Sequence, residues 1–222
     1  CTIQVLKTNS YPSDRASISV DTNGRPHICF GGNVGGLAAV HHAFSPSGTN
    51  WTYETIDGSN QGQGIDSAFD SAGRLHVSYI NGADNSVRYA VKSGGVWSLG
   101  PVPSNGMATA IAVDSQGSPH IAFIPSSEHG MCYAVKTNAS WTVTRIDTNL
   151  ALTGNASIAV DLLGRPHMSW LDWQLTDERV RYAYWNGSSW QKEYVEGAVE
   201  QYSDLVVKPD GTPVVSYFYK TA

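Results

Sequence analysis

The stretch Ala156-Ser157-Ile158-Ala159-Val160-Asp161-Leu162-Leu163-Gly164-Arg165-Pro166-His167-Met168-Ser169-Trp170 recurs along the chain. Earlier copies run from Ala16 to Phe30, Ser67 to Tyr79 and Thr109 to Phe123, and a worn copy from Ser203 to Tyr217. Their turn glycines, Gly24, Gly73, Gly117, Gly164 and Gly211, are 49, 44, 47 and 47 residues apart. A second landmark follows each of the first four copies. It is a short strand with His42-Ala43, Tyr89-Ala90, Tyr133-Ala134 or Tyr182-Ala183, then Trp51, Trp97, Trp141 or Trp190. A near-fixed period of this size marks a repeat architecture.

Within each period the pattern is that of strands. Ser157-Ile158-Ala159-Val160 and His120-Ile121-Ala122-Phe123 alternate small or polar with apolar residues, which is strand periodicity. Asp-x-x-Gly between them suits a tight turn, because glycine takes positive φ without a Cβ clash. Each unit reads as strand a, the Asp-x-x-Gly turn, strand b, the Tyr-Ala strand c and the strand d that follows Trp. Four short strands in about 40 to 50 residues define a β-propeller blade. The predicted fold is one all-β propeller domain, with blades at about 16–57, 64–103, 108–148, 156–197 and 203–222. Thr2-Ile3-Gln4-Val5-Leu6 matches the d strands and is expected to help close the ring with the last blade, which lacks a strand c; either that fifth blade is unusual, or the ring belongs to a longer chain with six, seven or more blades.

Composition narrows the class. Of 222 residues, 15% are charged, 14 Lys and Arg stand against 19 Asp and Glu, and the net charge is −5. With no basic run, nucleic acid and anionic membranes are not expected partners. No apolar run is long enough to span a bilayer. Cys29 fills the slot of Ser78, Ala122, Ser169 and Ser216, which reads as a small buried position. Cys132 falls on another blade, so no disulfide is expected between them. Strand-like residues follow Cys1 at once, which argues for a processing boundary over a lipid anchor.

His27, His76, His120 and His167 recur once per blade beside the turn, and Val214 takes the fifth place. Metal ligands lie ~2 Å from their ion, a distance that four separate blades do not offer here. These histidines are read as structural hydrogen-bonding groups, and Arg25, Arg74 and Arg165 as local partners. Asp21-Thr22-Asn23-Gly24 lacks the later ligands of a calcium loop. Asn50, Asn138, Asn155 and Asn186 head Asn-x-Ser/Thr triplets, three of them where asparagine forms turns. No metal and no cofactor is expected.

The b–c and d–a connections vary, and variable loops on a rigid scaffold are where sites are built. The expected d–a loops include 104–107, and the expected b–c loops 31–36 and 171–179. That face carries Asp172, Trp173, Asp177, Glu178 and Arg179 on blade 4, and Glu128 and His129 on blade 3. Tyr11, Asp14 and Arg15 lead into blade 1, and Glu200, Gln201 and Tyr202 into blade 5. Aromatic rings stack on the apolar face of a pyranose, while charged groups take its hydroxyls. The expected ligand-binding residues are therefore Asp172, Trp173, Arg179, Glu128, His129, Tyr11, Arg15 and Tyr202.

The units resemble the repeats of secreted bacterial propeller proteins related to the sialidase, or BNR-type, propellers. Ala159-Val160-Asp161-Leu162-Leu163-Gly164-Arg165-Pro166-His167 carries the resemblance, with Val180-Arg181-Tyr182-Ala183 and then Trp190. The turns read Asp-x-x-Gly-x-Pro-His where an Asp-box reads Ser-x-Asp-x-Gly-x-x-Trp, so the resemblance implies the fold and transfers no catalytic residue. It implies an extracellular or cell-surface setting. The expected function is a non-catalytic, lectin-like module with a glycan or a surface protein as partner. The alternatives are a polysaccharide-cleaving enzyme using Asp172, Asp177, Glu128 and His129, and a protein-interaction scaffold.

Overall fold

The computed structural model describes residues 16–47, 50–59, 61–127, 130–148, 152–174, 177–195 and 199–219. Every regular element among them is a strand, and the strands pair antiparallel in sequence order. Blade 1 is β1 (Ala16–Val20), β2 (Pro26–Val34), β3 (Leu37–Phe44) and β4 (Thr52–Asp57). Blade 2 is β5 (Gly62–Phe69), β6 (Leu75–Asn81), β7 (Ser86–Ser93) and the first half of β8 (Val96–Val113). The second half of β8 opens blade 3, followed by β9 (Pro119–Pro125), β10 (Met131–Thr137) and β11 (Ser140–Asp147). Blade 4 is β12 (Leu152–Val160), β13 (Pro166–Gln174), β14 (Asp177–Trp185) and β15 (Trp190–Val195). Blade 5 contributes β16 (Val199–Val207) and β17 (Pro213–Tyr219).

Three expected loops turn out to be strand. Residues 104–107 lie inside β8, which runs 18 residues and joins blades 2 and 3 into one seven-stranded sheet. In blade 4, β13 and β14 pair from His167↔Tyr184 to Gln174↔Asp177, so Asp172, Trp173 and Asp177 to Arg179 belong to a hairpin. In blade 1, β2 and β3 pair out to Val34↔Leu37, leaving only Gly35 and Gly36 as the turn, at φ 62° and 93°.

The a–b turns of blades 1 to 4 are one motif organised by its aspartate, and Lys208 takes that place in blade 5. Asp70 Oδ1 accepts the N–H groups of Ala72 and Arg74 at 2.9 and 2.8 Å. Its Oδ2 takes Arg74 Nε at 2.5 Å and His76 Nε2 at 3.1 Å. Asp161 repeats the pattern with Leu163 and Arg165. Desolvation alone would raise these two carboxyls, but the N–H groups and guanidiniums of Arg74 and Arg165 outweigh it and hold both below the usual range. Gly73 and Gly164 close their turns at φ 75° and 76°, where a Cβ would be strained.

The hydrophobic core is divided into layers between blades. Val40, Ile56, Ile65, Leu75, Val77 and Tyr79 fill the seam of blades 1 and 2. Ile80, Val87, Ile111, Ile121 and Phe123 fill that of blades 2 and 3. Ile124, Met131, Ile146, Met168 and Trp170 fill that of blades 3 and 4. Leu171 and Val180 begin the next layer, against Val215. Small polar residues stitch the inner strands. Ser78 Oγ meets Thr109 Oγ1 at 2.8 Å, and Ser169 Oγ meets Ser203 Oγ at 3.2 Å. Cys29 sits in the same slot fully buried, and both Cys29 and Cys132 are free thiols.

Candidate functional site

The inner strands of all five blades line a cavity of about 360 Å³ on the propeller axis. Its walls are Ala16, Ser17 and Ile18 of β1, Ile65 and Asp66 of β5, Thr109 and Ala110 of β8, Asn155 to Ser157 of β12, and Asp204 of β16. Measured from each turn glycine, one strand position recurs as Ser17, Asp66, Ala110, Ser157 and Asp204. It places two carboxylates and two hydroxyls in one small space. Asp66 Oδ1 accepts Ser17 Oγ–H at 2.9 Å, and its Oδ2 accepts the Ile111 N–H at 2.8 Å. Asp204 Oδ1 accepts Ser157 Oγ–H at 2.7 Å and the Leu205 N–H at 2.9 Å. Desolvation raises the Asp66 carboxyl above its ordinary value, against three hydrogen bonds that lower it, and the Asp204 charge adds to the rise.

Of the residues singled out from the sequence, Asp172 is placed inward. It is 2% exposed, and the Arg181 guanidinium binds its Oδ2 through Nε at 2.6 Å and through NH2 at 2.5 Å. Arg181 also reaches Asp147 of blade 3 at 2.8 Å and stacks on the Tyr194 ring at 4.8 Å. Asp172 thus belongs to an ion triad between blades and is not a free ligand-binding group. Arg179 lies exposed over the same Tyr194 ring at 5.5 Å. Tyr202 is 60% exposed and occupies in β16 the repeat position that the cavity-lining Asn155 occupies in β12. Trp173 is placed as a strand residue opposite Glu178 and Leu152, and its side chain lies outside the described residues. Tyr11, Arg15, Glu128 and His129 lie outside them too.

Sequence reasoning passed over Asp66 and Asp204. The available signal was positional: they are the acidic members of a strand-a slot that is serine or alanine elsewhere.

The recurrent histidines sit between the turn aspartate and the strand-c tyrosine. Nδ1 of His76, His120 and His167 meets the hydroxyls of Tyr89, Tyr133 and Tyr182 at 2.7, 2.6 and 2.5 Å. Blade 1 differs, because His42 stands in the tyrosine slot. His27 Nδ1 meets His42 Nε2 at 2.8 Å, and His42 Nδ1 meets Glu54 Oε1 at 2.6 Å. Glu54 in turn pairs with Lys92 and accepts Trp97 Nε1–H at 3.1 Å. Burial holds His42 down at about 4, although Glu54 pulls the other way. A pocket of about 280 Å³ beside this chain is lined by Asp21, Arg25, His27, His42, Phe69 and Lys92, among others. Among the described residues no group of three His, Cys, Asp or Glu side chains is placed to hold a metal ion.

Comparison with known proteins places the fold. No protein-family profile matches the sequence, and no curated protein matches it either. Solved structures do match. A protein of unknown function from Dyadobacter fermentans is 13% identical at TM-score 0.64, covering 91% of this chain and 74% of that one. A Penicillium chrysogenum alpha-L-arabinanase, solved with arabinobiose, is 12% identical at TM-score 0.60, covering 90% and 74%. A Hadza microbial sialidase is 16% identical at TM-score 0.56, covering 86% and 47%. The chain is a β-propeller, and its resemblance to sialidase-type propellers holds at the level of the fold. Fold does not carry activity with it. Among the described residues no helix is long and apolar enough to cross a membrane.

Proposed function

We propose that the chain binds carbohydrate outside the cell, with the axial cavity as its principal site. The lining of that cavity carries the reading. Asp66 and Asp204 bring carboxylates, bridged to the Ser17 and Ser157 hydroxyls, and with Thr109 and Asn155 they surround a volume of about 360 Å³, so a sugar binds here by exchanging its own hydroxyls into those bonds. A sugar both donates and accepts hydrogen bonds at every hydroxyl, and this mixed set can meet it in both roles. Exposed Tyr202 offers an aromatic face two residues before Asp204 in β16, and Trp173 and Arg179 are kept in the proposal as further contact residues. Arabinanase and sialidase activities on other chains of this fold lend support. The Arg181 triad favours the axis over the outer loops, because it ties up Asp172.

A second reading is glycoside hydrolysis. It is favoured by the raised Asp66 beside a second carboxylate, since a general acid needs a carboxyl that keeps its proton toward neutral pH. One experiment separates the two. Purified protein is incubated with a panel of neutral and acidic polysaccharides, and both retained protein and released products are measured. Retention without products, lost in Asp66→Asn and Asp204→Asn, supports binding. Products that vanish in either variant support hydrolysis. Retention unchanged in both variants removes the axial cavity from the account.

A further inference from the structure

Each seam between neighbouring blades is flanked, on the a–b face, by two recurring positions. One is the residue after the turn glycine of the leading blade: Arg25, Arg74, Ser118 and Arg165. The other lies three residues after the strand-c aromatic of the following blade: Lys92, Lys136 and Trp185 for the first three seams. Between blades 2 and 3 both are basic. The Arg74 guanidinium lies over Gly117, where any Cβ would collide with it. Lys136 Nζ caps the Tyr89 and Trp141 rings at 5.2 and 5.9 Å. Between blades 4 and 5, Arg165 approaches Gly211 in the same way, 3.9 Å from the place of its Cβ. Between blades 1 and 2, Arg25 and Lys92 both line the charged pocket described above.

The seam of blades 3 and 4 departs at both positions. Ser118 cannot reach across, and Trp185 replaces the lysine. The result is a pocket of about 270 Å³ lined by Tyr133, Val135, Thr144, Gly164, Pro166, Trp185 and Trp190. The Trp190 ring stands 5.0 Å from Tyr133 and 6.0 Å from Trp185, edge-on to both. Both indoles are only half-buried, and the adjoining turn exposes Leu162 and Leu163. No lining residue is charged. The volume falls just below the ~300 Å³ at which drug-sized ligand pockets begin, so one ring fits and a chain does not.

We propose that this seam is a second binding site, on the face opposite the variable loops, for a single neutral pyranose ring or the end of a neutral glycan. Half-exposed indoles present flat apolar faces to the C–H face of such a ring, and the Thr144 hydroxyl is there for its oxygens. The absence of charge excludes the acidic sugars that Lys92 or Arg25 would favour in the first seam. Two independent departures from the repeat converge here, and each removes a cation from the same place. The site shares no residue with the axial cavity, so neither proposal depends on the other.

The test is an indole N–H titration by NMR with two probes, cellotetraose and methyl β-D-galactopyranoside. The Trp185 and Trp190 signals should move and saturate with at least one probe. Ser118→Arg restores the arginine that closes the preceding seam, and Trp185→Lys restores the lysine of blades 2 and 3. Both variants copy residues that neighbouring blades carry at the same positions. Each should weaken binding at least ~10-fold. Signals that stay still with both probes overturn the site, as do shifts that persist at full affinity in both variants.

Discussion

Ala139 holds a backbone conformation that blade 2 gives to glycine. The β10–β11 hairpin closes through Asn138 and Ala139 at φ 49° and 70°, and the β7–β8 hairpin through Gly94 and Gly95 at φ 58° and 84°. Two-residue hairpin turns with both central φ positive match the twist of their strands. Asparagine tolerates that region, but an alanine Cβ is crowded there, at a cost of about 1–2 kcal/mol. Ala139→Gly relieves this and gives back part of it through a freer unfolded chain. The expected net gain is roughly 1 kcal/mol, seen as a melting temperature about 2–4 °C higher. A variant that melts at or below the parent would show that the turn stores no strain at 139.

At the scale of the element, the β13–β14 hairpin is tied to blade 3 by one guanidinium. Arg181 joins Asp172 on its own hairpin to Asp147 at the end of β11, and both carboxylates are nearly buried. Among the described residues Asp172 Oδ1 and Trp170 Nε1 are buried with no hydrogen-bond partner, so this seam has little polar capacity to spare. Arg181→Met removes the cation that bridges two nearly buried carboxylates. The expected loss is about 3–5 kcal/mol in urea unfolding. Adding Asp147→Asn and Asp172→Asn should recover most of it, and a triple variant as weak as the single one would locate the cost elsewhere.

The elements themselves were legible in the sequence because their signals are local. Period-2 alternation, the Asp-x-x-Gly turn and the Tyr-Ala and Trp landmarks each act within a few residues, and the strands fall where they point. The site was less legible because it depends on pairing between blades. Asp172 read as a loop carboxylate, yet strand pairing runs to the tip of the hairpin and turns it onto Arg181. Residues 104–107 read as a loop because Pro103, Ser104, Asn105 and Gly106 are turn formers. In fact Gly106 packs so close to Ile124 and Val87 that a Cβ would not fit, which is the reason for glycine in an extended segment.

For the whole molecule, the acid side of the stability curve follows from its histidines. Burial lowers His27, His42, His76, His120 and His167 below the ordinary imidazole range, despite the carboxylate beside each of them. An unfolded chain takes up protons on these rings near pH 6.5, while the folded chain resists until lower pH. Stability must therefore fall as pH drops below about 6.5. The lowered carboxyls of Asp70, Asp114 and Asp161 contribute a second loss, below about pH 4. His42, held at about 4, has the largest single share of the first loss, on the order of 3 kcal/mol between pH 7 and 4. His42→Tyr, the residue of blades 2 to 4, should flatten that part of the curve. Denaturant midpoints measured from pH 7 to 4 decide it, and parallel curves for parent and variant would clear His42 of the role.

The continuous strand β8 has a consequence for how such a chain can change over generations. Where a loop joins two blades, residues can be gained or lost without disturbing either sheet. Between Val102 and Ala108 the slack is small, because Asn105 is paired to Ser86 of blade 2 while Gly106 and Ala108 are paired to Pro125 and Ile124 of blade 3. One added residue would carry every side chain beyond it to the opposite face. The shortest of the four repeat intervals, 44 residues, falls across this junction. A change in length at this junction therefore disturbs two ladders at once, where the same change in a loop between blades disturbs neither.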